Sequence, residues 1–129
     1  MKIKTIIVVI ITMVLSACSP KITTNLINKQ PALRAEDKIA LLDVHHSLPE
    51  RATKIGDLRF QDSGFSTDCS FNSLMNRARM QARENGANIV KVVEKKAPDL
   101  LSSCYRLKIE LYKYDGDVTK LPQYQLTLD

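Results

Sequence analysis

Five side chains in this chain of 129 residues have the types from which a reactive or metal-binding site is built: Cys18, Cys69, Cys104 and the adjacent pair His45 and His46. Thiolates and imidazoles ligate zinc and copper, and a thiolate is a nucleophile. The spacing argues against both uses. No C-x-x-C pair is present, and an exchange-prone redox pair is usually close in sequence, whereas Cys69 and Cys104 are far apart. Adjacent histidines in extended chain point to opposite sides and do not readily share one ion, so His45 and His46 read as loop residues. No G-x-S-x-G or similar nucleophile motif occurs, and no carboxylate pair is set at a catalytic spacing. We expect no enzyme, no catalytic residue, no cofactor and no metal site.

The N-terminus decides the compartment. Lys2 and Lys4 precede an apolar run from Ile6 to Leu15, followed by Leu15-Ser16-Ala17-Cys18. A run of this length is too short for a membrane span, which needs about 20 residues, and fits the apolar region of a signal peptide. The tetrapeptide ending at Cys18 resembles the lipobox of bacterial lipoproteins. That resemblance implies cleavage before Cys18, a lipid on its sulfur and acylation of the new amino terminus. Several acyl chains hold a protein to a membrane far more firmly than one. Ser19 after the cysteine, with no acidic cluster close behind it, implies by the same resemblance the outer membrane, with the domain facing the periplasm. Loss of residues 1–17 removes two lysines and no acids, leaving 17 basic against 14 acidic side chains. So mild a surplus gives no case for nucleic acid as a partner. In an oxidising compartment the two remaining cysteines, Cys69 and Cys104, are expected to pair; the competing reading is two free or metal-bound thiols.

The elements that would position these residues follow from pattern. Asp68 and Ser70 are good helix N-caps, and Gly86 stands where a left-handed residue ends a helix, which predicts a helix over about residues 71–85. Phe71, Leu74, Met75, Ala78 and Ala82 then share one face, and Asn72, Asn76, Arg79, Arg83 and Glu84 the other. Four strands are predicted: 38–44 as a short apolar run, 55–60 through Gly56, Leu58 and Phe60, 89–94, and 104–114 with Tyr105, Leu107, Ile109 and Leu111 on one side. The expected fold class is α+β, ordered ββαββ: a four-stranded sheet with a single helix on one face and one disulfide. Domain limits follow as 1–17 signal peptide, 18–37 lipidated tether, 38–114 folded domain, and 115–129 a tail or added edge strand. If the strands flanking the helix are parallel, the helix start and the start of the last strand meet at one sheet edge, which brings Cys69 to Cys104. His45 and His46 are expected at the opposite edge.

Three segments, Asp62 to Cys69, Ala82 to Asn88, and Ala97-Pro98-Asp99 through Ser103 to Arg106, resemble a group of small uncharacterised lipoproteins of the Bacteroidota. More distantly, a helix ending in Gly-Ala-Asn before an apolar strand and a cysteine is similar to the core of the outer-membrane lipoprotein sensor of the Rcs envelope-stress system. These resemblances span about residues 38–114 and imply a lipid-anchored cell-envelope protein, a non-enzymatic binding or sensing module with an envelope protein as partner. The alternative is a periplasmic carrier of a small ligand or metal. Candidate partner contacts are Phe65 in its loop, Met80 opposite the apolar helix face, and Arg79 with Arg83 as a basic flank.

Overall fold

The computed structural model describes residues 20–62 and 68–127. The strands are β1 (Lys21–Leu26), β2 (Ala40–Leu42), β3 (Thr53–Gln61), β4 (Ile89–Lys96) and β5 (Arg106–Lys113), with helix α1 (Phe71–Glu84) between β3 and β4. A short 3-10 turn, Val118–Lys120, follows β5. The fold is α+β with one helix and one mixed sheet in the order β1-β3-β5-β4-β2. The sheet therefore has five strands, one more than expected.

The extra strand is β1, from the stretch read as a tether. Lys21 pairs with Gln61 and Leu26 with Gly56, antiparallel to β3. Only Ile22 and Leu26 pack on the core, so the segment has almost no local apolar signal. What makes it a strand is the unpaired edge of β3, whose backbone groups it satisfies. The C-terminal stretch forms neither an edge strand nor a loose tail as far as Thr127. Tyr124 donates its N–H to the Leu41 carbonyl at 2.7 Å, Asn72 holds Thr127 through Oδ1 and Nδ2, and Tyr124 and Leu126 pack on the core.

Helix α1 starts and stops by the chemistry its ends offer. Ser70 is the N-cap and its hydroxyl accepts from Ser73 N–H at 3.2 Å. At the other end Gly86 has φ 76°, Gly86 N–H reaches the Arg83 carbonyl and Ala87 N–H the Ala82 carbonyl, which satisfies the last turn. Leu74, Met75, Ala78 and Ala82 are buried on Leu58, Phe60, Val90, Val92, Leu107 and Ile109 of the sheet. Each large apolar side chain buried there contributes about 1.5–3 kcal/mol.

Strands β3 and β4 both run antiparallel to β5, which lies between them, so the β3-α1-β4 unit is a parallel crossover with β5 inserted. Strand β2 is parallel to β4, pairing Ala40 with Ile89. Its chain therefore travels toward the same end of the sheet as β4, and His45 and His46 lie in the half that holds the cysteines, not at the opposite edge. The link from β2 to β3 is no hairpin. It crosses the helix-free face, where Leu48 and Ala52 pack with Ala40, Leu42, Ile89 and Val118 in a second small core.

Candidate functional site

Cys69 and Cys104 form a disulfide with Cα atoms 5.1 Å apart. It ties the residue before the helix cap to the approach of β5, and Tyr105 N–H adds a bond to the Cys69 carbonyl at 3.2 Å. Strand pairing puts Lys21 beside Gln61, Phe60 beside Leu107 and Lys96 beside Arg106, so the start of β1 and the 97–105 loop share this end of the sheet. Cys18, two residues before Pro20, and Phe65 both lie outside the described residues, as do residues 1–17.

The 97–105 loop is braced throughout. Asp99 Oδ1 accepts from the N–H groups of Leu101 and Ser102 at 2.8 and 3.0 Å, and Asp99 N–H reaches the Ser102 carbonyl. Arg106 donates to Asp99 Oδ2 at 2.8 Å and to the Ala97 carbonyl at 3.2 Å. The Arg106 hydrogen bond, together with those N–H groups, holds the Asp99 carboxyl below the usual carboxylate range. Ser102, itself buried, donates to Asp62 at 2.5 Å.

Between this loop and the helix-free face of β3, β5 and β4 lies an open cleft of about 480 Å³, lined by Arg59, Gln61, Glu94, Lys96, Arg106 and Lys108 among others. Arg59 stands opposite Lys108 in the strand register, and among the described residues neither has a carboxylate at ion-pair distance. Arg106 Nε is buried there without a hydrogen-bond partner among the described residues. A cleft so lined suits an anionic group rather than a cation.

On the helix-covered face, Asp43 is buried at the end of β2 and both its oxygens accept from Lys95 Nζ at 2.9 Å. That ammonium also lies 4.3 Å from the centre of the Phe71 ring, so it joins sheet edge to helix start. Burial pushes the Asp43 carboxyl up, but the hydrogen bonds from Lys95 and Val44 N–H and the Lys95 charge outweigh it, and the pKa is lowered. Lys91 Nζ fills a nest of three carbonyls, those of Asp43, Val44 and His46, at 2.8, 3.0 and 2.5 Å. Its pKa is lowered by burial, against the pull of Asp43 and Glu110.

The histidine pair does not splay apart as extended chain would require. The segment is a turn, closed by His46 N–H on the Asp43 carbonyl, and the ring centres lie 4.0 Å apart. His46 Nδ1 accepts from Asp43 N–H at 2.9 Å, so that nitrogen is occupied. Burial first, then the neighbouring His45, lowers the His46 pKa. No group of three or more His, Cys, Asp or Glu able to hold a metal occurs among the described residues.

The helix candidates divide. Met80 is 54% exposed on the outer face. Arg79 donates to Asn76 at 2.7 Å along the same face. Arg83 is a clamp: it donates to the Arg34 carbonyl at 2.5 Å and the Asp37 carbonyl at 3.0 Å, while its own carbonyl accepts from Leu33 N–H. Sequence reasoning missed the cleft altogether. The signal was present in the alternate cations of 106 and 108, but only strand order brings Arg59 and Lys96 beside them. No helix among the described residues is long and apolar enough to cross a membrane. No protein-family model matches this chain, and neither does any curated protein or solved structure.

Proposed function

We propose that this chain is a lipid-anchored cell-envelope protein, held through Cys18 in the outer membrane with its domain on the periplasmic side, and that it works as a non-enzymatic binding or envelope-sensing module. The observation that carries the reading is the run Lys2, Lys4, Ile6 to Leu15 and Leu15-Ser16-Ala17-Cys18, placed two residues before the described chain begins. Two further features support it. The pairing of Cys69 with Cys104 leaves Cys18 as the remaining thiol for lipid, and a structural disulfide persists in an oxidising compartment. Arg106 on Asp99 and Ser102 on Asp62 serve the loop's own architecture, as suits a binding surface more than a catalytic centre. Met80 and Arg79 on the outer helix face, and Phe65, are the contacts we assign to an envelope protein partner.

Cys18→Ala is the test. Cells fed radiolabelled fatty acid should label the wild-type chain and not the variant, and the variant should leave the membrane fraction. Acylation retained in the variant overturns the reading. Protease added to intact cells should spare the domain; rapid digestion would assign it to the cell surface instead. The carrier alternative draws on the cleft and its unpartnered Arg106 Nε, and native mass spectrometry showing a copurified small anion would favour it.

A further inference from the structure

We infer that the disulfide end of the sheet is a membrane-contact surface, on which Leu100 and Leu101 enter the acyl layer of the bilayer and Arg59 and Lys108 meet its anionic headgroups. The inference rests on the proposed anchor in one respect, the position of Cys18.

The leucines come first. Leu100 is 105% and Leu101 91% exposed, at the tip of the 97–105 loop. Single exposed apolar residues are ordinary; two adjacent ones held fully in water are not. Nor is the exposure a by-product of slack chain. The Asp99 turn and the Arg106 bonds fasten the loop on both sides of the pair, and the disulfide bonds Cys104 just beyond. The fold thus holds two leucines outward on a rigid mount.

The charges stand beside them. Arg59 and Lys108 face each other across β3 and β5, an arrangement of like charges that weakens a sheet unless an anion relieves it. Leu101 lines the same cleft as these two cations, with Glu94 and Asp62 as the acids of its rim. Apolar tip and cation pair side by side are what an interface of acyl chains and phosphates requires.

The anchor supplies the direction. Lys21 opens β1 opposite Gln61, at this same end. Three residue steps back along the chain, at most about 3.6 Å each, place Cys18 within about 11 Å of Lys21. A lipid on Cys18 would therefore draw this end, and not the far one, against the bilayer.

The chain contains no tryptophan, so a single one reports its own surroundings. Mature Leu101→Trp protein, purified from bacterial membranes, is reconstituted in vesicles of phosphatidylethanolamine and phosphatidylglycerol carrying acyl-brominated lipid. The control is Ile27→Trp, also exposed, at 64%, but at the far end of the sheet. The expected result is blue-shifted emission and strong quenching for Leu101→Trp, with neither for Ile27→Trp, and weaker quenching for Leu101→Trp on vesicles of phosphatidylcholine alone. Unquenched Leu101→Trp emission in vesicle-bound protein overturns the contact surface, including in favour of a protein partner at these leucines. Equal quenching on neutral vesicles overturns the headgroup part. Mass spectrometry of the same preparation reads acylation at Cys18 separately: quenching without acyl chains keeps the surface and discards the anchor, acyl chains without quenching do the reverse, and the lack of both discards the two together.

Discussion

At the end of the sheet where α1 stops, the structure is closed by hydrogen bonds around a buried amide; at the end where α1 starts, a covalent bond is added and two adjacent leucines are left in water. Asn88, buried at the first end, donates through Nδ2 to the Tyr114 carbonyl at 2.6 Å and accepts the Tyr114 N–H on Oδ1 at 2.8 Å, while its own N–H and carbonyl serve Tyr112 and Ala40. Gly86 lets the chain turn under Gln30 and Pro31, where a Cβ would collide with the Pro31 carbonyl. The backbone groups of Asn88 and Tyr114 named here each find a partner, and Ile27 is exposed at this end without an exposed apolar neighbour in sequence. The other end has the Cys69–Cys104 bond, the Asp43–Lys95 pair and two leucines in water. A covalent tie lets an end forgo burial, because its closure does not depend on desolvating its own tip. In a small domain such a tie is a large share of a total of about 5–15 kcal/mol.

The comparison breaks most directly at the disulfide. Replacing both cysteines by alanine should lower stability by about 2–4 kcal/mol, since the bridge closes a loop of 35 residues. Denaturant unfolding of the two proteins without reductant measures it. Equal midpoints would mean that the loop and the hydrogen bonds around Tyr105 already hold this end unaided.

The polar end is broken by Asn88→Ala, with an expected loss of about 2–3 kcal/mol. The change strips partners from the N–H and the carbonyl of Tyr114 and removes a buried amide whose backbone bonds survive. Amide hydrogen exchange should quicken at Tyr114 and Tyr112 and stay slow at Tyr105. A loss under about 0.5 kcal/mol, the size of an ordinary surface change, would show that water replaces the amide without cost.

How far each end was legible in the sequence follows from the same contrast. Helix α1 carries its own period and caps, so Leu74, Met75, Ala78 and Ala82 could be assigned to the core from spacing alone. The disulfide followed from cysteine count, compartment and a crossover that β3, α1 and β4 do form. Strand β1 was hidden because Lys21, Thr23, Thr24 and Asn25 face water, and its reason for being a strand lies in β3, 30 to 40 residues away. The short β2 was seen, but three residues cannot reveal their direction, and the parallel pairing with β4 overturned the placing of His45 and His46. The cleft was invisible for a related reason: Arg59 and Lys108 are ordinary solvent-facing residues until strand order sets them opposite each other.

The smallest effect expected is at the ion pair that joins β2 to the helix start. Asp43→Asn keeps an acceptor for Val44 N–H but replaces the charge that Lys95 answers, and should cost about 1–2 kcal/mol at neutral pH. Its pH dependence gives a sharper reading than its size. The carboxyl's folded pKa lies below its ordinary value of 3.8, so the unfolded chain binds the proton more readily. The stabilisation is therefore complete above that value and lost as pH falls from it through the folded pKa. Wild-type stability should fall more steeply than that of Asp43→Asn over this acid window, the gap between the two closing as pH drops, even though Asp99 and Asp37 contribute the same acid loss to both. His46 titrates nearer neutrality in the same sense, its lowered pKa making stability decline below about 6.5; the Asp43 charge partly offsets that lowering, so the histidine's contribution differs between the two proteins and the gap is read below the range in which His46 titrates. A gap that stays constant across the carboxylate range, below the titration of His46, would mean that Lys95 holds the Asp43 side chain by geometry alone. The disulfide end would then be covalently closed and apolar, with no electrostatic latch between sheet and helix.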